Sequence, residues 1–344
     1  PVAVTQHVLT NQMSMTPRDR FLNTLNFKPC DGRLPMVEWA AWWDLTIDRW
    51  KTEGMPPELD WTESIAFFDI DPLVLIAARG GPVGELPPGI SKIVTDEASY
   101  EALLPYLFAD ATIAAAVEKA RALKARHDRG ELSIRIWLDG YFWSPRTLFG
   151  IEAHLLSFYD QPELMHRMNR DLAVFNCRAI DAIGTVLKPE MVGFAEDMSY
   201  NHGPMLSRRC FDEFLLPYYQ SSIPTIKAHG IKVLVDSDGD VTTMIPWLFA
   251  AGIEGVYPLE RQAGVDVAKL RQAHPELIMM GGFDKMVMSH GEGPMRAEFE
   301  RLLPVMRSGG YIPSVDHQTP PEVSLEHYRI YVRLFREYCE RSAS

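Results

Sequence analysis

The stretch MVGFAEDMSYNHGPMLSRRCFDEFLLPYYQSSIPTIKAHGIKVLVDSD, residues 191–238, contains the pattern that decides the fold. It begins with a short apolar run at Met191–Ala195, continues through a helical stretch at Ser207–His229, and returns to an apolar run at Lys232–Val235. Short apolar runs separated by helical stretches are typical of parallel strands that are covered by helices. An acidic residue directly follows each of the two runs, so the ends of these strands are the first place to look for catalytic residues.

The same alternation extends over most of the chain. The other strand candidates are Leu34–Trp39, Pro72–Ala77, Ser133–Leu138, Gly255–Pro258, Leu277–Gly281 and Gly310–Ser314. Helical stretches separate most of them, at Tyr100–Arg126, Gly150–Val186 and Pro294–Arg307. About eight such units without a GxGxxG or Walker pattern predict an α/β fold of the (β/α)₈ TIM-barrel type, and an open α/β sheet is the alternative.

The segments before and between these units are less regular. Thr16 and Pro17 are typical of a helix start, so an N-terminal helical extension is expected. The tryptophan-rich segment Ala40–Met55 is predicted to be helical, and the turn-rich segment Gly80–Ile90 to form a small hairpin. Residues 1–14 are expected to be a disordered or extended lead-in, and residues 15–340 a single barrel domain.

Composition narrows the classes of partner. The formal net charge of the 344 residues is −12, which argues against nucleic acid and anionic membranes as partners because both require clustered basic residues. None of the four cysteines forms a CxxC pair, so no thiolate zinc motif is visible. The chain has no apolar run of about 18 residues and no secretory pattern at Pro1–Ser14, so a cytoplasmic location without a membrane span is expected.

Acidic residues follow six of the strand candidates. They are Asp139, Glu196, Asp236, Glu260, Asp284 and Asp316. In a barrel the strand ends and the loops after them build the active site. Like charges gathered in a cleft raise one another's pKa, and a fold tolerates them where they hold a cation, share protons or bind a cationic substrate.

The segment Asp236-Ser237-Asp238-Gly239-Asp240 is the most distinctive of these. It resembles the start of a calcium loop but lacks the glutamate expected at the loop end. Asp236 and Asp238 are two residues apart at a strand end, so both are predicted to point into the site. The alternative is that Asp238 or Asp240 caps the following helix.

His317 follows the last strand candidate and is a candidate metal ligand or general acid, with a structural role as the alternative. Aromatic residues near strand ends could line a substrate pocket. Those expected to bind substrate are Trp39, Trp43, Tyr141 and Trp143, and the acids Glu196 and Asp284 are expected to join them. For the tryptophans, packing between helices is the alternative.

Several stretches together resemble the uroporphyrinogen decarboxylase superfamily, which also holds corrinoid-linked methyltransferases of (β/α)₈ fold. They are MTPRDRFLNTL at Met15–Leu25, Pro35–Trp43, FFDI at Phe67–Ile70, Gly140 to Thr147, and Gly309–Ile312 leading to Asp316-His317 and Pro320-Pro321. The resemblance extends from Thr16 to about Tyr338. It implies that Asp69 and His317 match the aspartate and histidine of the decarboxylases.

The chain departs from both branches of that superfamily. The arginine-rich stretch that grips tetrapyrrole carboxylates is replaced by Val37–Trp42, so an octacarboxylate substrate is not expected. In the thiol-activating methyltransferases a His-x-Cys and a second cysteine hold zinc. The corresponding places here look like Asp236–Asp238 and Asp316-His317, a set of oxygen and imidazole ligands better suited to polarising an oxygen than to activating a thiol.

Two enzyme hypotheses follow from the resemblance. The first is a corrinoid-linked methyltransferase of the O-demethylase type, acting on a small methylated substrate. A divalent metal, expected to be zinc, would be held by Asp236, Asp238, His317 and Glu196. Asp69 would orient or protonate the substrate, and a partner protein would carry the corrinoid. The second is a metal-free decarboxylase or lyase that uses Asp69 and His317 on a small carboxylate. A non-catalytic binding protein is a third class, and a homodimer is the expected assembly if the chain is not a monomer.

Overall fold

The computed structural model describes residues 15–343, so the lead-in predicted for residues 1–14 lies outside the described residues. Nine strands are formed: β1 Leu73–Ala78, β2 Ser133–Asp139, β3 Met191–Ala195, β4 Ser199–Tyr200, β5 Gly203–Pro204, β6 Lys232–Asp236, β7 Gly255–Tyr257, β8 Ile278–Phe283 and β9 Tyr311–Val315. Seven of them form one parallel sheet in the order β1-β2-β3-β6-β7-β8-β9, which is also their order along the chain. The predicted parallel α/β architecture is confirmed, with seven sheet strands where eight are predicted.

Helices precede the sheet and connect its strands. They are α1 Pro17–Leu25, α2 Asp44–Thr52, α3 Trp61–Phe67, α4 Glu97–Leu103, α5 Asp110–Asp128, α6 Trp143–Phe149, α7 Ile151–Asp160, α8 Pro162–Gly184, α9 Arg208–Phe214, α10 Leu216–Ala228, α11 Ile245–Ala251, α12 Val267–Ala273, α13 Glu292–Met306 and α14 Leu325–Ser342. Three predicted helical stretches are each divided near a proline, at Pro105, Pro162 and Pro217, because proline cannot donate the helical hydrogen bond. The predicted cap of the first helix is confirmed, since Thr16 accepts from Asp19 N–H.

The prediction of a strand at Leu34–Trp39 is wrong. The segment is buried and extended, but its backbone groups bond largely to side chains: Met36 N–H donates to Asp71 Oδ2 at 3.0 Å, and Trp39 N–H to Ser314 Oγ at 3.4 Å. These contacts join it to the chain just before β1 and to β9, the two edge strands of the sheet. The hairpin predicted within Gly80–Ile90 is also wrong, since the described backbone there has turns and bends but no strands.

Two separate apolar clusters show how the sheet is arranged. The smaller cluster contains one or two residues from every sheet strand except β2, together with Val37, Trp39 and two residues of α1. The larger cluster fills the space between the sheet and the helices. Because side chains alternate along a strand, every sheet strand except β2 contributes to both clusters. The sheet therefore curls around an interior core of its own, and α1 covers that core at one end.

No single helix within residues 15–343 has the length and apolar composition needed to cross a membrane. The bent pair formed by residues Glu97–Tyr106 and Asp110–Asp128 passes that test only when the two helices are taken together, by length and composition.

Candidate active site

A half-open cavity of about 380 Å³ lies at the carboxyl end of the sheet. This is the end at which barrel enzymes place their active sites. Its walls come from the segment after Met36, from β1, β2, β3 and β6, and from the loops after β2, β3, β6 and β9. The lining residues are Trp39, Ala40, Ala41, Leu75, Arg135, Trp137, Trp143, Ala195, Asp197, Asp236, Asp238, His317 and Gln318.

Strand β6 aims the first acid at this cavity. Val233 and Val235 pack toward the helices, while Leu234 belongs to the interior core, so by alternation Asp236 also faces inward. Burial raises the pKa of Asp236 to about 8; the charge of Arg135 opposes that rise, and the charges of Asp197 and Asp238 add to it. Asp236 is therefore protonated at neutral pH and can act as an acid.

The loop after β6 places the second acid. Gly239 has φ +84°, and a Cβ there would come within 2.7 Å of Tyr200 N, so the loop packs tightly on the β4–β5 hairpin. Asp238 lines the cavity, whereas Asp240 accepts from Thr242 N–H at 2.9 Å, just before the 3-10 turn Thr242–Met244. Neither Asp238 nor Asp240 occupies the N-cap position of that turn, which belongs to Val241.

His317 lies opposite the β6 loop. Its Nε2 is 3.6 Å from Asp238 Oδ2, and this carboxylate raises the pKa of His317 above its ordinary value although burial opposes the rise. The preceding residue, Asp316, is buried and accepts from the backbone N–H groups of Arg261 and Lys285 at 3.0 and 3.1 Å. These bonds fix the loop that carries His317, so the structure brings His317, Asp236 and Asp238 to one cavity as predicted.

Three tryptophans form the apolar walls of the cavity. Trp39 is held by a 2.7 Å hydrogen bond from its Nε1 to the carbonyl of Val315, and its ring meets the His317 ring edge-on at 6.0 Å. Trp143 lies under the guanidinium of Arg146, and Trp137 comes from β2. Such walls suit a small substrate with an apolar or flat body.

Glu196 lines no part of the cavity. It is completely buried and accepts hydrogen bonds from the backbone N–H groups of Tyr141, Phe142 and Trp143 at 2.7, 2.7 and 3.1 Å, and from the Tyr219 hydroxyl. Its carboxylate lies so close to Gly140 that a Cβ there would be 2.1 Å from Glu196 Cδ. Glu196 therefore anchors the loop between β2 and α6, and this loop places Trp143 in the cavity wall.

Three other predicted substrate-binding residues also lie outside the cavity lining. Tyr141 is fully buried and its hydroxyl is 2.8 Å from Ser222 Oγ. Trp43 precedes α2 and is 47% exposed. Asp284 accepts from Gln262 Nε2 at 2.8 Å and from Met286 N–H at 2.9 Å. The structure thus brings Trp39 and Trp143 to the cavity and leaves these three apart from it.

Asp69 lies at the other end of the sheet. It precedes β1, its side chain is 86% exposed, and Arg336 of the C-terminal helix bonds to it at 2.7 Å. The cavity lies at the carboxyl ends of the strands, so the structure does not bring Asp69 to the proposed chemistry. The stretch Phe67–Ile70 matches the family's Phe-Ser-Asp-Ile stretch except at Phe68, and it does not lie where Asp69 could reach the cavity.

The cavity residues that are missing from the predicted set include Arg135, Trp137 and Asp197. Arg135 and Trp137 are two residues apart in the strand SIRIWLD, and an arginine in an otherwise apolar buried strand is the signal that could have identified them. Asp197 follows Glu196 directly, and its φ of +40° is uncommon for a residue other than glycine. Burial raises the pKa of Asp197, and the neighbouring charge of Asp238 raises it further.

The metal-binding set predicted from the sequence does not fit the arrangement of these side chains. Glu196 is saturated by its four donors. Within residues 15–343 no three His, Cys, Asp or Glu side chains are close enough together to hold a metal ion. What the cavity does bring together is two groups that carry a transferable proton, Asp236 and His317, beside apolar walls and one arginine.

Comparison with known proteins agrees with this architecture. The structure is similar to a methyltransferase from Methanosarcina mazei, with a TM-score of 0.61 at 13% identity over 94% of this chain and 99% of that chain. It is also similar to a candidate vitamin-B12 independent methionine synthase from Listeria monocytogenes, with a TM-score of 0.46 at 13% identity over 89% and 96% of the two chains. No curated protein matches the sequence.

The family model described as uroporphyrinogen decarboxylase (URO-D) matches residues 84–338. This range includes β2 and every later element of the sheet, and with them most of the cavity wall. The resemblance found in the sequence is thereby confirmed, and the chain belongs to the uroporphyrinogen decarboxylase family.

Proposed function

We propose that this protein is an enzyme that removes a methyl group from a small methylated substrate, with Asp236 and His317 as proton donors to the leaving group. The observation that carries the proposal is the placement of both acids on the walls of one tryptophan-lined cavity. A methyl group leaves an ether oxygen poorly unless that oxygen is protonated or polarised as the bond breaks. Asp236, whose burial raises its pKa to about 8, can supply the proton at neutral pH.

The proposed step balances in bonds and protons. The bond between the methyl carbon and the substrate oxygen breaks, the methyl group passes to an acceptor, and the oxygen takes a proton from Asp236 or His317. His317 is placed to restore the proton, since the Asp238 carboxylate 3.6 Å from its Nε2 favours the protonated imidazole and raises its pKa. General acid catalysis of this kind contributes about 10²- to 10⁴-fold to a rate.

A corrinoid carried by a partner protein is the acceptor we propose, and when bound it would supply the nucleophile for the methyl group. The rim of the cavity suits an approach from outside, because the side chains of His317 and Asp238 are 30% and 41% exposed. On the chain's own side, Trp39 and Trp143 would hold the apolar body of the substrate while the two acids face the leaving oxygen.

Whether the protein requires zinc is a separate question, and elemental analysis of protein purified without chelator answers it. The placement of the donors favours chemistry by the proton carriers, so we expect less than one metal ion per chain. One zinc per chain, lost in Asp238→Ala, would instead show that the donors move together when the ion binds.

Decarboxylation is the second candidate, favoured by the Asp236 and His317 acid pair, which could protonate a carbanion left by loss of CO₂. We place it second because of Arg135. A guanidinium beside the departing carboxylate stabilises the substrate more than the transition state, in which the carboxylate loses its charge.

The test is a demethylation assay with methoxylated aromatic acids and reduced corrinoid protein as acceptor. Asp236→Asn is expected to lower turnover about 10²- to 10⁴-fold while the protein stays folded, since an amide cannot give up a proton. Asp284→Asn is the matched control, because Asp284 also follows a sheet strand but lies outside the cavity lining.

Activity is also expected to fall above pH 8, where Asp236 loses its proton. If the assay releases CO₂ and no demethylated product, the decarboxylase is the correct function. Equal losses in Asp236→Asn and Asp284→Asn would overturn the role given to Asp236.

A further inference from the structure

Arg135 occupies an unusual place in the sheet. It faces the interior, where every other sheet strand contributes apolar side chains to the interior core and β2 contributes none. Its neighbours across the sheet in register are Leu75 of β1 and Met191 of β3. A charged side chain at such a position costs free energy unless something compensates the charge.

The protein compensates this charge only in part. Arg135 is 8% exposed, and its Nε and Nη1 atoms are buried without a hydrogen-bond partner among residues 15–343. Within the same residues no carboxylate lies within ion-pair distance of it. The rings of Trp39 and Tyr257 lie 5.7 and 5.4 Å from its Cζ, which is within cation–π range but gives no hydrogen bonds.

The nearby acids leave that positive charge largely free. Asp236 lines the same cavity but forms no salt bridge with Arg135 within residues 15–343. Asp238 is paired with His317 at 3.6 Å. The Asp197 carboxylate accepts from Asp238 N–H at 3.4 Å and forms no salt bridge with Arg135 within residues 15–343. Despite its three aspartates, the cavity can therefore accept one negative charge at Arg135.

We infer that Arg135 is the binding site for an anionic group of the substrate, and that this group is a carboxylate. The planar guanidinium can bond both oxygens of a carboxylate, and the tryptophan walls can hold an apolar body attached to it. The inference rests on the proposed function in that it identifies the methylated substrate as an acid. The size of the cavity, about 380 Å³, suits an aromatic or small aliphatic acid.

Binding of benzoate, benzamide and benzyltrimethylammonium, measured by calorimetry, tests the inference. The three probes share a ring and differ in charge. We expect benzoate to bind at least tenfold more tightly than benzamide, and benzyltrimethylammonium to bind weakest. Benzoate binding should fall about 10- to 100-fold in Arg135→Gln, and less in Arg135→Lys, which keeps the charge but loses the two-oxygen geometry.

Arg79→Gln is the matched control. Arg79 also stacks on a cavity tryptophan, with its Cζ 4.9 Å from the Trp137 ring, but it is bonded to Asp139 at 2.7 Å. Its replacement should leave benzoate binding unchanged. Equal affinity for benzoate and benzamide, tighter binding of the cationic probe, or full benzoate binding by folded Arg135→Gln would overturn the inference.

The comparison of the three probes on the unaltered protein decides the question even if Arg135→Gln does not fold. None of the binding readouts depends on methyl transfer, so the inference can stand where the demethylation assay fails. Conversely, a demethylase that acts equally on neutral methoxybenzamides and on methoxybenzoates would keep the proposed function and remove the anion site.

Discussion

Asp71 lies at the amino end of the sheet and Asp236 at its carboxyl end, and the two carboxyl groups have opposite hydrogen-bonding surroundings. At the amino end, Asp71 accepts from both guanidinium nitrogens of Arg33 at 2.6 and 2.7 Å, from Arg20 at 3.1 Å, and from Met36 N–H. At the carboxyl end, the pKa of Asp236 is governed by burial and by the charges around it, with no hydrogen bond among its causes. Both side-chain oxygens of Asp71 accept hydrogen bonds, whereas those of Asp236 accept none from residues 15–343.

The pKa values of these two acids follow that difference. Burial raises the pKa of Asp71, but the hydrogen bonds and charge of Arg33 outweigh it and hold the value below the ordinary range. Burial alone dominates at Asp236 and raises its pKa to about 8. The residue type is thus the same at the two ends, although Asp71 is buried and Asp236 is partly exposed at the cavity, and the partners decide whether the carboxylate stabilises the fold or stays available for chemistry.

Glu190 extends the pattern at the amino end. It accepts from Arg18 at 2.6 Å and from Ile134 N–H at 2.6 Å, and its Oε1 is 2.9 Å from His127 Nε2. In barrel enzymes, contacts of this kind at the amino ends of the strands stabilise the fold, whereas catalytic groups lie at the carboxyl ends. Glu196 shows that position at the carboxyl end is not sufficient, because its four donors make it an anchor like Glu190.

The largest effect expected from this comparison is on the free energy of unfolding. Asp71→Asn is expected to lower the free energy of unfolding by about 3–5 kcal/mol, because it leaves Arg33 and Arg20 without their buried partner. Asp236→Asn should lower it by no more than a few tenths or raise it, since no partner is lost. Denaturant unfolding followed by circular dichroism measures both, and equal losses in the two variants would contradict the division between the ends.

The pH dependence of stability sharpens the same comparison. Asp71 has a folded-state pKa below its ordinary value of 3.8, so its contribution is present at neutral pH and is lost as the pH falls through that region. Asp236 has a folded-state pKa of about 8, above the same ordinary value. The folded protein therefore holds a proton that the unfolded chain has released, and stability falls as the pH rises between these two values.

Unfolding free energies measured across this pH range for the unaltered protein and both variants test these slopes. Asp236→Asn should flatten the decline toward pH 8, and Asp71→Asn should differ least from the unaltered protein in acid. A decline toward pH 8 that is the same in Asp236→Asn would assign the titration to another group.

Side chains alternate between the two faces of a strand, and this alternation made much of the site predictable from the sequence. Lys232–Val235 is a strand in which the next inward-facing residue is Asp236, so its place in the cavity follows from alternation. The same reasoning extended to β2 would have given Arg135 and Trp137. His317 was predictable because it follows the last strand of the sheet.

What the sequence cannot show is the set of partners that reach a residue from elsewhere. Glu196 follows β3 as Asp236 follows β6, but Tyr219 and the backbone of the β2–α6 loop come from distant parts of the chain to saturate it. Leu34–Trp39 looks like a strand, and only the positions of Asp71 and Ser314 show why its backbone bonds to side chains instead. These are tertiary contacts, which local patterns do not contain.

The match of Asp69 to the family aspartate failed for a different reason. Three of the four residues of Phe67-Phe68-Asp69-Ile70 agree with the family's Phe-Ser-Asp-Ile stretch, but the segment precedes β1 and therefore lies at the amino end of the sheet. A motif has chemical meaning only where the fold delivers it to the site. The sequence also shows that the motif precedes the strand, and this order predicts the position of Asp69 better than the match of residue types does.

Asp69→Ala is accordingly the prediction with the smallest expected effect. The side chain is 86% exposed and pairs with Arg336 on the surface, so its removal should change the free energy of unfolding by about 0–1 kcal/mol. Turnover in the demethylation assay should stay within about twofold of the unaltered protein, because Asp69 lies at the end of the sheet opposite the cavity. Arg336→Ala is the control for loss of the surface pair and should behave alike in both measurements. A hundredfold loss of turnover in folded Asp69→Ala, with Arg336→Ala unaffected, would mean that the reaction takes place at the amino end and that Asp236 and His317 do not carry it.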